Sequence, residues 1–158
     1  MRQLVPAVGV LTVLTMVLAA DLMAQSKPSF AGKWTLVTNA AAPGGRGRLA
    51  QDFTVTQNDK TITTTTENPE RPDLNAVYNL DGSESSNPVT FNGQTIQQLT
   101  TVKWDGSKLV MTTAINFNGT AYEAIQIWSL DASGNLAIEM TTDLAGAPGP
   151  KKLTYKKA

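Results

Sequence analysis

From Phe30 to the C-terminus, no ten-residue stretch places apolar side chains at helical spacing, so helices cannot supply the core of this chain. Runs rich in β-branched residues take their place: Phe53-Thr54-Val55-Thr56, Lys60-Thr61-Ile62-Thr63-Thr64-Thr65-Thr66 and Lys108-Leu109-Val110-Met111-Thr112-Thr113. Between them stand turn pairs, Asp81-Gly82, Asn92-Gly93, Asp105-Gly106 and Asn118-Gly119, which supply the positive φ angles of tight hairpins. The spacing predicts strands over 30–38, 49–57, 60–66, 74–80, 87–91, 95–104, 108–117, 120–130, 135–143 and 151–156. Joined in sequence by short connections, these strands make an antiparallel up-and-down meander. A meander leaves two bare edges unless it closes on itself, so the expected fold is all-β, a single barrel of about ten strands.

The turns carry a repeat. Gln57-Asn58-Asp59-Lys60, Leu80-Asp81-Gly82, Trp104-Asp105-Gly106 and Leu130-Asp131-Ala132-Ser133-Gly134 each end a strand, open a turn with Asp and begin the next strand. They recur every second connection, so they fall at one end of a meander and close it. The opposite end receives the longer connections 39–48, 67–73 and 144–150. If the last strand pairs with the first, these gather Arg46, Arg48, Glu67, Glu70, Arg71, Asp73, Lys151 and Lys152 around one mouth, where a rigid scaffold would present them to a ligand. The plainer alternative makes Ala40-Ala41-Ala42-Pro43-Gly44-Gly45 a connector whose arginines only keep it soluble.

Composition narrows the function. The 13 basic and 13 acidic residues balance, which removes any global field for nucleic acid or an anionic membrane. With no histidine and no cysteine, the commonest general base, the commonest metal ligand and any disulfide staple are missing together. No Ser-His-Asp relay can form. Glu123 and Glu139, mid-strand acids, read as solvent-facing sheet residues, and the glycine-rich segments 43–47 and 145–149 lack the helix and lysine of a phosphate loop. No catalytic residue, cofactor or metal is expected.

The N-terminus has the build of a secretory leader: Met1-Arg2-Gln3, an apolar run from Leu4 to Ala20, and a small residue at Ala24. The expected division is a signal peptide over 1–24 and one domain over 25–158, with cleavage after Ala20 as the alternative and an uncleaved anchor as the competing reading. The mature protein would be secreted or periplasmic.

Ser29-Phe30-Ala31-Gly32-Lys33-Trp34-Thr35-Leu36 resembles the Phe-x-Gly-x-Trp opening strand of the calycin barrels, the lipocalins and fatty-acid-binding proteins. The mature chain is similar to small bacterial secreted proteins that follow this opening with segments like Lys103-Trp104-Asp105-Gly106-Ser107-Lys108-Leu109-Val110, Ile127-Trp128-Ser129-Leu130 and Leu153-Thr154-Tyr155. The resemblance implies a Trp34 that plugs the closed base. It also shows departures: the segment 39–48 is too short for the helix pair of fatty-acid-binding proteins, and Leu153 stands where their carboxylate-gripping Arg would be.

Alternation from Trp34 sets the inward residues. They include Leu49, Gln51, Phe53 and Val55; Ile62, Thr64 and Thr66; Leu74, Ala76, Tyr78 and Leu80; and Gln98, Thr100, Val102 and Trp104. Strand eight is apolar on both faces, Ile125 and Ile127 against Tyr122 and Trp128, and is taken with Tyr122, Gln126 and Trp128 inward. So many Gln and Thr groups do not suit a solid core without partners. The expected function is binding of a small apolar or amphipathic molecule inside the barrel. Its lining candidates are Trp34, Tyr78, Gln98, Thr100, Thr113 and Gln126, with Arg46, Arg48 and Arg71 at the mouth. The alternative is a non-catalytic interaction module of the cell envelope that uses the loops 39–48, 67–73 and 144–150.

Overall fold

The computed structural model describes residues 27–37, 51–66, 68, 70, 72–91, 93–147 and 149–158. The expected leader over 1–24, the segment 39–48 with Arg46 and Arg48, and Arg71 lie outside the described residues.

Ten antiparallel strands follow one another: β1 (Gly32–Leu36), β2 (Phe53–Gln57), β3 (Thr61–Thr66), β4 (Ala76–Asn79), β5 (Ser85–Phe91), β6 (Gln94–Asp105), β7 (Lys108–Phe117), β8 (Thr120–Leu130), β9 (Leu136–Thr142) and β10 (Lys151–Lys157). β1 lies between β2 and β10, so the two ends of the chain pair as closure requires, with Trp34 opposite Lys157 and Leu36 opposite Tyr155. The inward phase agrees with the alternation reading on every strand. On β8, Trp128 stands opposite Leu109 and Gln126 opposite Met111, which turns Ile125 and Ile127 outward.

Closure differs from the expectation at one seam. The sheet runs β4-β3-β2-β1-β10-β9-β8-β7-β6-β5, so β4 and β5 are its two edges and share no backbone ladder. Side chains span the gap instead. The Asn87 amide accepts from Val77 N and donates to Val77 O, both at 2.9 Å. Ser85 Oγ accepts from Asn79 N at 2.7 Å. An edge position also explains why β5 accommodates Pro88, which has no N–H to give a neighbour. β4 is shorter than predicted because Pro72–Leu74 forms a single 3-10 turn before it.

The Asp turns sit at one end, as their spacing implied. Asp81 Oδ1 accepts from the backbone and hydroxyl of Ser83 at 2.9 and 2.6 Å, and Asp131 Oδ1 from the Ser133 and Asn135 backbones at 2.8 and 2.9 Å. These bonds hold both carboxyls below their ordinary range, led by Ser83 for Asp81 and by Asn135 for Asp131. At the first turn the role passes to Asn58, whose Oδ1 accepts from Lys60 N and Thr61 N at 2.8 Å, rather than to Asp59. At the other end Asn118 and Gly119 both take positive φ, 52° and 79°, as a two-residue hairpin of this kind needs.

The aromatic core closes the end that bears the Asp turns. Phe30 is fully buried, stacked on Trp104 at 6.0 Å and edge-on to Trp128 at 5.9 Å. Phe53 meets Trp128 and Tyr155 at 5.9 and 4.9 Å. Phe30 lies before β1 rather than in it: Gln57 Oε1 takes its N–H at 2.8 Å, and Trp34 Nε1 donates to its carbonyl at 2.8 Å. Gly32 eases this crossing, because it takes φ 145°, a backbone conformation that residues with a Cβ rarely adopt. Burial pushes the Tyr155 phenol well above its ordinary value, with Asp52 adding to the shift.

Candidate functional site

The barrel interior divides in two. The inward side chains nearest the Asp turns are dry: Trp34, Phe53, Val55, Ile62, Val102, Leu109, Met111, Trp128, Leu136 and Ile138 are all under 3% exposed. Toward the opposite end several inward positions of β5, β6, β8, β9 and β10 are only half-buried, namely Val89, Ile96, Gln98, Tyr122, Ala124, Gln126, Met140 and Lys151, while Thr113 and Ile115 on β7 stay buried. A strand end that loses its burial on the inward side faces an opening, not a packed core.

Four of the sequence-predicted residues meet on this wall. Thr100 and Thr113 are cross-strand partners whose hydroxyls bond at 2.9 Å, and both are buried. Gln126 lies one inward step away on β8, opposite Met111, and its Oε1 accepts from Trp128 Nε1 at 3.2 Å. Gln98 stands two residues before Thr100 on the same face, opposite Asn87. Tyr78 comes from β4, across the seam, and is 6% exposed. Trp34 belongs to the packed base and seals the floor below this wall.

Polar satisfaction is incomplete here. Gln51 Nε2 and Thr64 Oγ1 are buried and have no hydrogen-bond partner among the described residues. A buried donor without a partner costs about 1–3 kcal/mol, so each of these atoms invites an acceptor from a water or a ligand.

The sequence places Lys151 at the mouth without giving it a face, and the register of β10 supplies one. Lys151 shares the inward register of Leu153 and Tyr155, opposite Met140. Its neighbour Lys152 points outward and is paired with Glu139 at 3.2 Å. No Asp or Glu occupies an inward position on the described strands. The open half of the barrel thus combines amide and hydroxyl groups, apolar wall and one inward ammonium at the rim. Asn87 was passed over, although it lies two residues before the inward Val89.

No group of three or more His, Cys, Asp or Glu among the described residues could hold a metal ion. Neither is any described helix long and apolar enough to cross a membrane.

No family model and no curated protein matches the sequence. Among solved structures, the fluorescent protein UnaG, in an asparagine-to-glutamine mutant, superposes with a TM-score of 0.54 at 19% identity, over 82% of this chain and 96% of that one. The barrel is a calycin fold of the fatty-acid-binding-protein type. At this identity the likeness concerns the fold, and any function has to be argued from this chain's own side chains. Theirs is an interior that is sealed and aromatic at the base, and half-open and polar above it.

Proposed function

We infer that the protein is exported and holds a small amphipathic molecule in the upper half of the barrel, without performing chemistry on it. The observation that carries this reading is the half-buried wall of Gln98, Tyr122, Gln126 and Lys151 above a dry floor. The buried, unpartnered Gln51 Nε2 and Thr64 Oγ1 support it. A ligand with an apolar body and an acceptor or anionic end would match this lining. The packed base limits its length to about half the barrel. Arg46, Arg48 and Arg71, which the sequence reading assigns to the mouth, would add a screened attraction for anions.

An anionic naphthalene sulfonate dye should bind the folded protein at one saturable site and be displaced by a small apolar carboxylate. Lys151→Met should weaken the anionic dye roughly two- to fivefold while sparing a neutral apolar ligand, since one partly screened charge contact is removed. The effect of Arg46→Ala and Arg48→Ala should appear chiefly at low salt. Absence of saturable binding, together with no small molecule on protein purified from its own host, would overturn the carrier reading in favour of a filled interaction module.

Export carries its own test. The order of charged start, apolar run and Ala24 leads to a mature protein that begins at or near Gln25. N-terminal sequencing of the exported material should find that residue. A chain still beginning at Met1 would point to a membrane anchor.

A further inference from the structure

The outer face of this barrel is not uniform. On β1, β2, β3 and β10 the outward positions are Lys33, Thr35, Thr54, Thr56, Thr61, Thr63, Thr65, Lys152, Thr154 and Lys156, a polar surface. On β7 and β8 they include Val110, Ile125 and Ile127, flanked by Leu99 on β6 and Ala137 on β9. This is why β8 reads as apolar on both faces. Its inward side serves the barrel core, but nothing in the barrel needs Ile125 and Ile127 on the other side.

Charges frame this patch in a specific order. Lys103 stands opposite Val110, Val110 opposite Ile127, and Ile127 opposite Glu139. Across β6 to β9 the row therefore reads cation, apolar, apolar, anion, the anion being the Glu139 carboxylate that Lys152 also holds at 3.2 Å within its own chain. A two-fold axis lying along the strands, midway between β7 and β8, reverses such a row. It lays Val110 of one copy on Ile127 of the other and brings each Lys103 against the second copy's Glu139. The neighbouring row, Thr101, Thr112, Ile125 and Thr141, places only neutral side chains against one another under the same rotation.

We propose that the outer face of β6–β9, centred on Val110 and Ile127, is the interface through which two copies of this chain associate. The arrangement is self-complementary in both apolar contact and charge, as an isologous two-fold contact requires. Four strands about 4.8 Å apart and about ten residues long present roughly 600 Å², somewhat below the ~800 Å² per partner of a standard interface. The dimer is therefore a reversible one. It leaves the open end of both barrels free and is independent of what the interior holds.

Sedimentation velocity of the mature protein, from about 1 μM to about 500 μM, spans the range in which an interface of this size dissociates. A concentration-dependent monomer–dimer equilibrium is expected. Val110→Lys should weaken it more than tenfold, while tryptophan emission reports that the barrel remains folded. Lys103→Glu and Glu139→Lys should each weaken it several-fold, and the double variant should recover most of the loss. Rescue of that kind cannot come from misfolding. A protein that stays monomeric throughout the range overturns the proposal, as does a dimer indifferent to Val110→Lys. Failure of the charge swap to rescue would overturn the assigned two-fold. Binding of this face to lipid vesicles without self-association would assign it to a membrane instead.

Discussion

Trp34→Ala should destabilise the protein by about 3–5 kcal/mol, among the largest costs of a single truncation in a core. The indole is 1% exposed, and it holds two groups directly, the Phe30 carbonyl and the Lys157 ammonium. Its Nε1 holds the Phe30 carbonyl at 2.8 Å, and so helps to fix the segment that crosses the base. Phe30 in turn stacks on Trp104 and meets Trp128. The Lys157 ammonium lies 5.8 Å above the Trp34 ring and loses a cation–π contact with it. Lys33→Ala, one position away in the alternation, faces outward and should cost within about 0.5 kcal/mol, as surface changes usually do. For a domain of this size the difference amounts to roughly 10–20 °C in melting temperature. Thermal melts of the two variants measure it directly. Equal, small shifts would mean that the base is closed by something other than the Trp34–Phe30 pair.

What the sequence disclosed and what it withheld follow from how local each signal is. Turn chemistry is local: Asp81, Asp131 and the Asn118-Gly119 pair announce themselves by residue type, and the structure finds each at a tight turn. Strand phase is nearly as local, since one anchored residue such as Trp34 sets the faces of its strand. Even β8 came out correctly, although Ile125 and Ile127 argue for the opposite face. The seam could not be read this way. Whether β4 and β5 pair by backbone or by side chains depends on how far the sheet curls, which no dipeptide encodes. Asn87 looks like an ordinary polar residue beside a proline until its partner is known to be the Val77 backbone.

The site shows the same division. The inward places of Gln98, Thr100, Thr113 and Gln126 were legible because alternation from an anchored residue sets the face of each strand. Lys151 was legible as a residue of the mouth, but its inward phase was not, because a lysine at a strand end passes as a solvated terminus. Its significance comes from the whole inner surface being free of acids on the described strands, a property of the assembled barrel. Likewise Trp34 was counted with the lining because it points inward. Only the three-dimensional stacking of Phe30, Trp104 and Trp128 shows that the lower interior is filled.

The seam carries the other large expected effect. Asn87→Ala should cost roughly 2–3 kcal/mol, because one amide serves both the donor and the acceptor of Val77 where no ladder replaces it. Asn79→Ala removes only an exposed bond to the Glu84 carbonyl at 3.2 Å and should cost well under about 1 kcal/mol. Asn87→Asp separates the two bonds. An ionised carboxyl at this site still accepts from Val77 N but meets the lone pairs of Val77 O, whereas a protonated one can donate to that carbonyl. Burial at 5% exposure and the facing carbonyl both favour the protonated form, so the folded pKa of the introduced group is raised above its unfolded value near 3.9. The folded state then binds more protons than the unfolded one as pH falls through the folded pKa, and stability increases in that direction. The deficit of Asn87→Asp relative to the parent should therefore be largest at neutral pH and shrink steadily toward pH ~4. Paired denaturant melts of parent and variant across that interval measure the deficit. A deficit that does not change with pH would mean that the carboxyl is not held against the Val77 carbonyl, and that β4 and β5 are joined by some other contact.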